Sequence, residues 1–198
     1  DHPGADSSPA WFPDGQALAF VSDRGGEAAI WKDARLGGTA FQLVTDARAP
    51  AVAPDGLEIA FSRTPAGGHA RLAVAPIGRP EAARVVTGDD SGLWGHTQPS
   101  WSPDGRDLCY VDFRDVWVVP AAGGAARRIT RDHVGDSDPV WSPDGRWVYF
   151  TSLRGGTKAV WRSSRDGRRL EKLTPGTGPE GQPSLPSDGR RLAFSTHV

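Results

Sequence analysis

Three arginines recur at one spacing in this chain. Arg24, Arg114 and Arg154 each lie nine residues after the glycine of an Asp-Gly pair. A guanidinium is a rigid, permanently charged fork that grips carboxylate or phosphate oxygens two at a time. Arginines at equivalent positions of a repeat would form a ring of anion-recognising groups. The plainer alternative is local pairing with an acidic neighbour such as Asp23 or Asp115, a weak surface interaction. The segment Gly88–Gln98 adds Trp94 and, two residues on, His96. This pair could stack on a peptide side chain or a sugar, or Trp94 could fold over as a plug. A third cluster holds Asp132, His133, Asp136 and Asp138. Carboxylates with a histidine invite a metal reading, but the spacing fits neither an EF-hand loop nor a zinc signature. Solvated loop charge is the favoured reading, and no metal or cofactor is assigned. Glu180 and Gln182 could join the same rim.

No catalytic residue is assigned either. The sequence has no Gly-x-Ser-x-Gly nucleophile elbow and no His-Glu-x-x-His motif. Cys109 aligns with Ala19, Ala60 and Ala193, which marks it as a small packing residue rather than a nucleophile.

The elements that must carry these side chains come from a repeat. Pro9-Ala-Trp-Phe-Pro-Asp-Gly15 returns from Pro50, Pro99 and Pro139, and more weakly from Pro183. The leading prolines are 41, 49, 40 and 44 residues apart. Each Asp-Gly is followed by an alternating apolar strand such as Leu18-Ala19-Phe20 or Val148-Tyr149-Phe150, and then by a second such as Val116-Trp117-Val118. Complete units close on an apolar residue and Thr, as at Ile129-Thr130. Pro-Asp-Gly is turn chemistry, because Pro presets φ, Asp bonds nearby backbone and Gly accepts positive φ. One unit therefore reads as four short antiparallel strands, a to d, and the period is that of propeller blades. The expected fold is an all-β propeller with blades at 9–49, 50–98, 99–138 and 139–182 and a partial blade at 183–198. In such a meander the d–a and b–c loops share one face and vary most, so that face is expected to bind. The short a–b and c–d turns of the other face read as scaffold.

Composition agrees. The 198 residues include 25 Gly and 17 Pro, too many helix breakers for a bundle. Net charge is −1, with no block of like charge, so a nucleic-acid footprint is absent. No apolar run approaches the roughly 18 residues that would span a bilayer. One cysteine excludes an internal disulfide.

The copies Pro99-Ser-Trp-Ser-Pro-Asp-Gly105 and Pro139-Val-Trp-Ser-Pro-Asp-Gly145 resemble the repeat of the TolB family. The same repeat occurs in propellers of prolyl oligopeptidase-like peptidases. The resemblance covers residues 9–196 and departs at Val52, Leu185 and Ser187. It implies a non-catalytic binding scaffold, periplasmic or otherwise extracytoplasmic, that takes a protein or peptide partner at the propeller mouth. The cytoplasm stays open as a compartment. Two alternatives stay open for the function: a substrate-gating propeller linked to a hydrolase domain, and a propeller enzyme acting on a sugar or small molecule. Because unit five stops after strand b, the chain is expected to be a portion of a larger propeller.

Overall fold

The computed structural model describes residues 4–34, 39–88, 95–132 and 134–196. Blade 1 comprises β1 (Asp6–Trp11), β2 (Leu18–Ser22), β3 (Ala29–Asp33) and β4 (Phe41–Val44). Blade 2 comprises β5 (Arg48–Val52), β6 (Glu58–Arg63), β7 (Arg71–Pro76) and β8 (Arg84–Val85). Blade 3 comprises β9 (His96–Trp101), β10 (Asp107–Asp112), β11 (Asp115–Pro120) and β12 (Arg127–Arg128). Blade 4 comprises β13 (Asp136–Trp141), β14 (Trp147–Ser152), β15 (Ala159–Ser164) and β16 (Leu170–Lys172). A fifth blade begins with β17 (Glu180–Ser184) and β18 (Ala193–Thr196). Each four-stranded sheet is an antiparallel meander in chain order. The all-β propeller expected from the repeat, four blades and the start of a fifth, is the fold found.

Strand a begins two or three residues ahead of the proline that opens each repeat, at Asp6, Arg48, His96, Asp136 and Glu180. The proline therefore sits inside the strand. A bulge makes room for it. In all five units three steps along strand a oppose two along strand b, as at Ser7↔Val21 and Ala10↔Ala19. The residue before the proline takes a left-handed φ each time: Ser8 at 51°, Ala49 at 49°, Gln98 at 54°, Asp138 at 53° and Gln182 at 54°. A bulge leaves one residue out of the ladder, so the missing proline N–H costs no hydrogen bond.

Three apolar clusters hold the blades together, one at each interface between complete blades. Phe12, Ile30, Val44, Ile59 and Phe61 join blades 1 and 2. Leu72, Val74, Trp101, Leu108 and Tyr110 join blades 2 and 3. Cys109, Val118, Trp141, Val148 and Phe150 join blades 3 and 4. Cys109 is fully buried, like Ala19 and Ala60. Burial pushes its thiol pKa far up, which fits a packing role. Trp101 and Trp141 pair with strand b in the same register as Trp11. They are 8% and 5% exposed, whereas Trp11 is 58% exposed, because no blade precedes it among the described residues.

Side chains finish the ladders where the main chain cannot. The closing threonines accept main-chain N–H bonds from strand c, Leu72 to Thr87 at 3.0 Å, Val116 to Thr130 at 2.8 Å and Val160 to Thr174 at 2.9 Å. In the a–b turn of blade 4, Ser142 Oγ donates to Asp144 at 2.6 Å and accepts from Trp147 N at 3.0 Å. Asp144 also accepts from Arg146 N. The Ser142 hydroxyl, followed by the Arg146 amide, holds the Asp144 carboxyl down at about 2. A carboxyl depressed in the folded state stabilises the fold above its unfolded value near 3.9, and that contribution is lost as pH falls toward 2. Ser142→Ala should move the Asp144 titration, followed by carboxyl carbon NMR, up by about one unit. An unchanged titration would show that the hydroxyl is not the cause.

Candidate functional site: the d–a and b–c face and the axial ring

Strand a of each blade contacts strand a of the next, β1 with β5, β5 with β9, β9 with β13 and β13 with β17. The innermost strands thus line the axis, and the residues before the prolines form a ring. Pro50, Pro99, Pro139 and Pro183 are buried, yet Ala49, Gln98, Asp138 and Gln182 just before them stay accessible. The left-handed φ turns those side chains out of the packed sheet. Hydrogen bonds link them from blade to blade. Gln98 Nε2 donates to Asp138 Oδ1 at 3.1 Å, and Asp138 N donates to Gln98 Oε1 at 3.1 Å. Thr151 Oγ1 donates to Asp138 Oδ2 at 3.1 Å and accepts from Gln182 N at 2.9 Å. A cavity of about 440 Å³ is lined by Gln98, Asp138, Thr151, Lys158, Glu180 and Gln182. Glu180 accepts from Gly176 N at 2.9 Å. The Thr174 hydroxyl, with the Gly176 and Thr177 amides, holds its carboxyl below the usual range.

The three arginines separate. Arg154 lies at the top of the interface between blades 3 and 4, with its side chain only 9% exposed. It donates to Asp132 through Nε at 2.7 Å and Nη2 at 2.6 Å, and to Asp136 at 3.1 Å. Its guanidinium also stacks over Phe150 and Trp161. Arg24 makes a related contact in blade 1: Nη2 donates to both Asp6 oxygens at 3.0 and 2.8 Å, Nε donates to Ser22 Oγ at 2.9 Å, and the guanidinium stacks over Phe20 and Trp31. Both partners, Asp6 and Asp136, open strand a three residues before the proline. The neighbour named from sequence, Asp23, instead accepts from Ala5 N. Arg63 of blade 2 donates to the Thr45 and Asp46 carbonyls. Arg114 is different: it is exposed and forms a two-residue turn with Phe113, at φ 82° and 46°. Strand c follows at once in blade 3, so equal spacing from the glycine does not give equal geometry. The structure thus brings Arg154, Asp132 and Asp136 together, joins Arg114 to them only through its main chain, whose carbonyl accepts from Asp136 N at 2.8 Å, and leaves Arg24 apart in blade 1.

Asp115, Asp132 and Asp136 place carboxylate oxygens within 4.8 Å of one another, the one such group among the described residues. Arg128 holds Asp115 at 2.6 Å, and Arg154 holds the other two. The cluster is therefore an interblade ion-pair knot, and its oxygens already face cations. Burial raises the Asp136 pKa, with hydroxyl donors and Arg154 opposing. His96 contributes its main chain to the start of β9. Trp94 and His133 lie outside the described residues. Gly95, just after Trp94, is buried at φ 74°, and a Cβ there would meet Ala70 N at 2.6 Å. That close approach fastens the end of the loop to blade 2.

Spacing from Asp-Gly does not reveal the axial ring. Its signal is the variable residue, Ser, Ala, Gln, Asp, Gln, directly ahead of a proline present in all five units.

The family model for the TolB beta propeller domain matches residues 92–198, more than half of the chain. The chain belongs to this TolB propeller family. A solved structure from Agrobacterium tumefaciens, provisionally named TolB, superposes with a TM-score of 0.84 at 25% identity, covering 98% of this chain and 71% of that one. The uncharacterized protein Atu1656 of Agrobacterium fabrum is 27% identical over 202 residues, covering 96% of this chain and 65% of its own length. The uncharacterized peptidase YuxL of Bacillus subtilis is 31% identical over 154 residues, covering 74% of this chain and 22% of its own. The chain therefore spans less than two thirds of either curated relative. No helix among the described residues is long and apolar enough to cross a membrane.

Proposed function

We propose that this TolB-family propeller is a non-catalytic, extracytoplasmic module that binds a protein or peptide on the face of the d–a and b–c loops. The observation that carries the reading is the axial ring. Gln98, Asp138 and Gln182 present amides and a carboxylate from a backbone fixed by bulges, beside a cavity of about 440 Å³. Glutamine amides offer both donors and acceptors to an extended main chain, and Asp138 offers an acceptor to an amine. A site fixed by blade packing loses little conformational freedom on association. Arg114 and Asp132 are assigned to the rim around it, and Trp94, His96 and His133 stay candidates on their sequence alone. Arg24 and Arg154 act as positioning residues that hold strand a against the b–c loops.

Linear peptides selected from a random displayed library should crosslink to the Gln98–Asp138–Gln182 face. Gln98→Ala with Gln182→Ala should weaken their binding about tenfold or more, with little change in thermal midpoint. Crosslinks confined to the Pro-Asp-Gly turns would overturn the reading.

The match to the peptidase YuxL favours a second reading, a gate over a hydrolase domain encoded beside this propeller. In that reading the adjoining coding sequence carries a Gly-x-Ser-x-Gly elbow. The full-length product then cleaves short peptides and excludes folded proteins.

A further inference from the structure

The opposite face carries a second feature. Between blades 3 and 4, the c–d and a–b turns enclose an open groove of about 840 Å³ lined by Arg127, Arg146, Arg165, Arg168 and Arg169, with Asp144 and Asp166. Five guanidiniums against two lining carboxylates leave the lining net positive, an excess that Asp104 and Asp107 just beyond it reduce. Three of the five are matched. Arg146 pairs with Asp144 at 2.7 Å and Arg168 with Asp166 at 3.6 Å. Arg165 reaches across to Asp104 and Asp107 of blade 3. Arg127 donates to the Arg165 carbonyl, and its charge has no carboxylate partner among the described residues. Arg169 is exposed and likewise has no acidic partner among them. Two unneutralised guanidiniums, one from each blade, therefore share one groove.

We infer that this groove between blades 3 and 4 is an anion site for a phosphoryl group, with Arg127 and Arg169 as its principal ligands. A phosphate monoester carries nearly two negative charges at neutral pH, which matches the two free cations. Its three oxygens suit guanidinium forks arriving from two sides. Arg168 is a reserve donor, since its pair with Asp166 is long and both side chains are largely exposed. The floor is rigid. Arg165 lies over the Trp141 ring at 5.4 Å, and Gly167 packs its backbone against Ile129, where a Cβ would meet the carbonyl at 3.0 Å. The site is independent of the peptide face, so either can fail alone.

The phosphoryl group could belong to a soluble ester or to a lipid headgroup, and one experiment separates them. The intact chain is titrated with inorganic phosphate and pyrophosphate by calorimetry at low salt. In parallel it is floated with vesicles of phosphatidic acid, whose headgroup is a phosphate monoester, and of phosphatidylcholine. The expected result is saturable phosphate or pyrophosphate binding that falls at least tenfold in Arg127→Gln with Arg169→Gln. Arg127→Lys with Arg169→Lys keeps the charge and loses the forks, so it should bind at an intermediate level. Flotation with phosphatidic acid alone, lost in the glutamine variant, supports the same site with the headgroup as source. No saturable binding to any probe, or binding equal in the glutamine variant with its thermal midpoint intact, overturns the assignment.

Discussion

Arg154→Ala is expected to destabilise the propeller by about 3–5 kcal/mol, measured by urea denaturation at pH 7. The guanidinium is 9% exposed, and the Asp136 side chain it holds is 0% exposed. Removing the cation leaves a desolvated carboxylate facing Asp115 and Asp132, with Arg128 on Asp115 as the remaining guanidinium paired to the cluster among the described residues. Asp136 then meets the situation that burial already favours, protonation. A carboxyl raised in the folded state binds more protons folded than unfolded. The native state of the variant therefore regains stability as pH falls through the raised value toward about 3.9, and loses it as pH rises. The deficit should narrow in acid. Arg24→Ala is the control, since Asp6 is half exposed and the pair is worth about 1 kcal/mol or less. A deficit for Arg154→Ala below about 1 kcal/mol would mean that water replaces the guanidinium and that the knot is a surface feature.

Trp101→Ala should cost a similar amount, about 3–5 kcal/mol, whereas Trp11→Ala should stay within about 0.5 kcal/mol. The two residues hold the same register in their blades. Trp101 fills the interface between blades 2 and 3, and its indole N–H donates to the Ala51 carbonyl at 2.9 Å. Deleting it removes a large apolar surface and strands that carbonyl. Trp11 lies on the open face of blade 1. Trp141 separates packing from hydrogen bonding, because its buried indole N–H has no partner among the described residues. Trp141→Phe should therefore be milder than Trp101→Phe under the same urea titration. Equal losses at Trp11 and Trp101 would mean that the register, and not the interface, sets the cost.

The blades were legible because their cause is periodic. Trp-Ser-Pro-Asp-Gly encodes a turn, and the alternating triplets after it encode the strand that the turn returns to. Cys109 was legible for the same reason, since its alanine counterparts report the space available. The start of strand a was not. A proline reads as a strand opener when the strand is imagined as regular, and only a bulge lets Pro99 sit in the middle of His96–Trp101. The arginine ring misled through loop length. Arg114 matches Arg24 and Arg154 in count, but blade 3 turns after Asp112 while blades 1 and 4 run on to Ala29 and Ala159. The acids that claim Arg154 lie 22 and 18 residues upstream, so only the fold brings them together. The groove of Arg127 and Arg169 was hidden because its two arginines sit on different blades, far apart in sequence, on turns of the face that reads as scaffold.

The recurrent left-handed kink ahead of each proline has an evolutionary corollary. Its geometry is imposed by the extra residue in the strand and not by what that residue is, for serine, alanine, glutamine and aspartate all adopt it. One site per repeat can thus mutate freely while the jigsaw behind it is untouched. The axial wall of such a protein can be rewritten letter by letter while its architecture stays fixed.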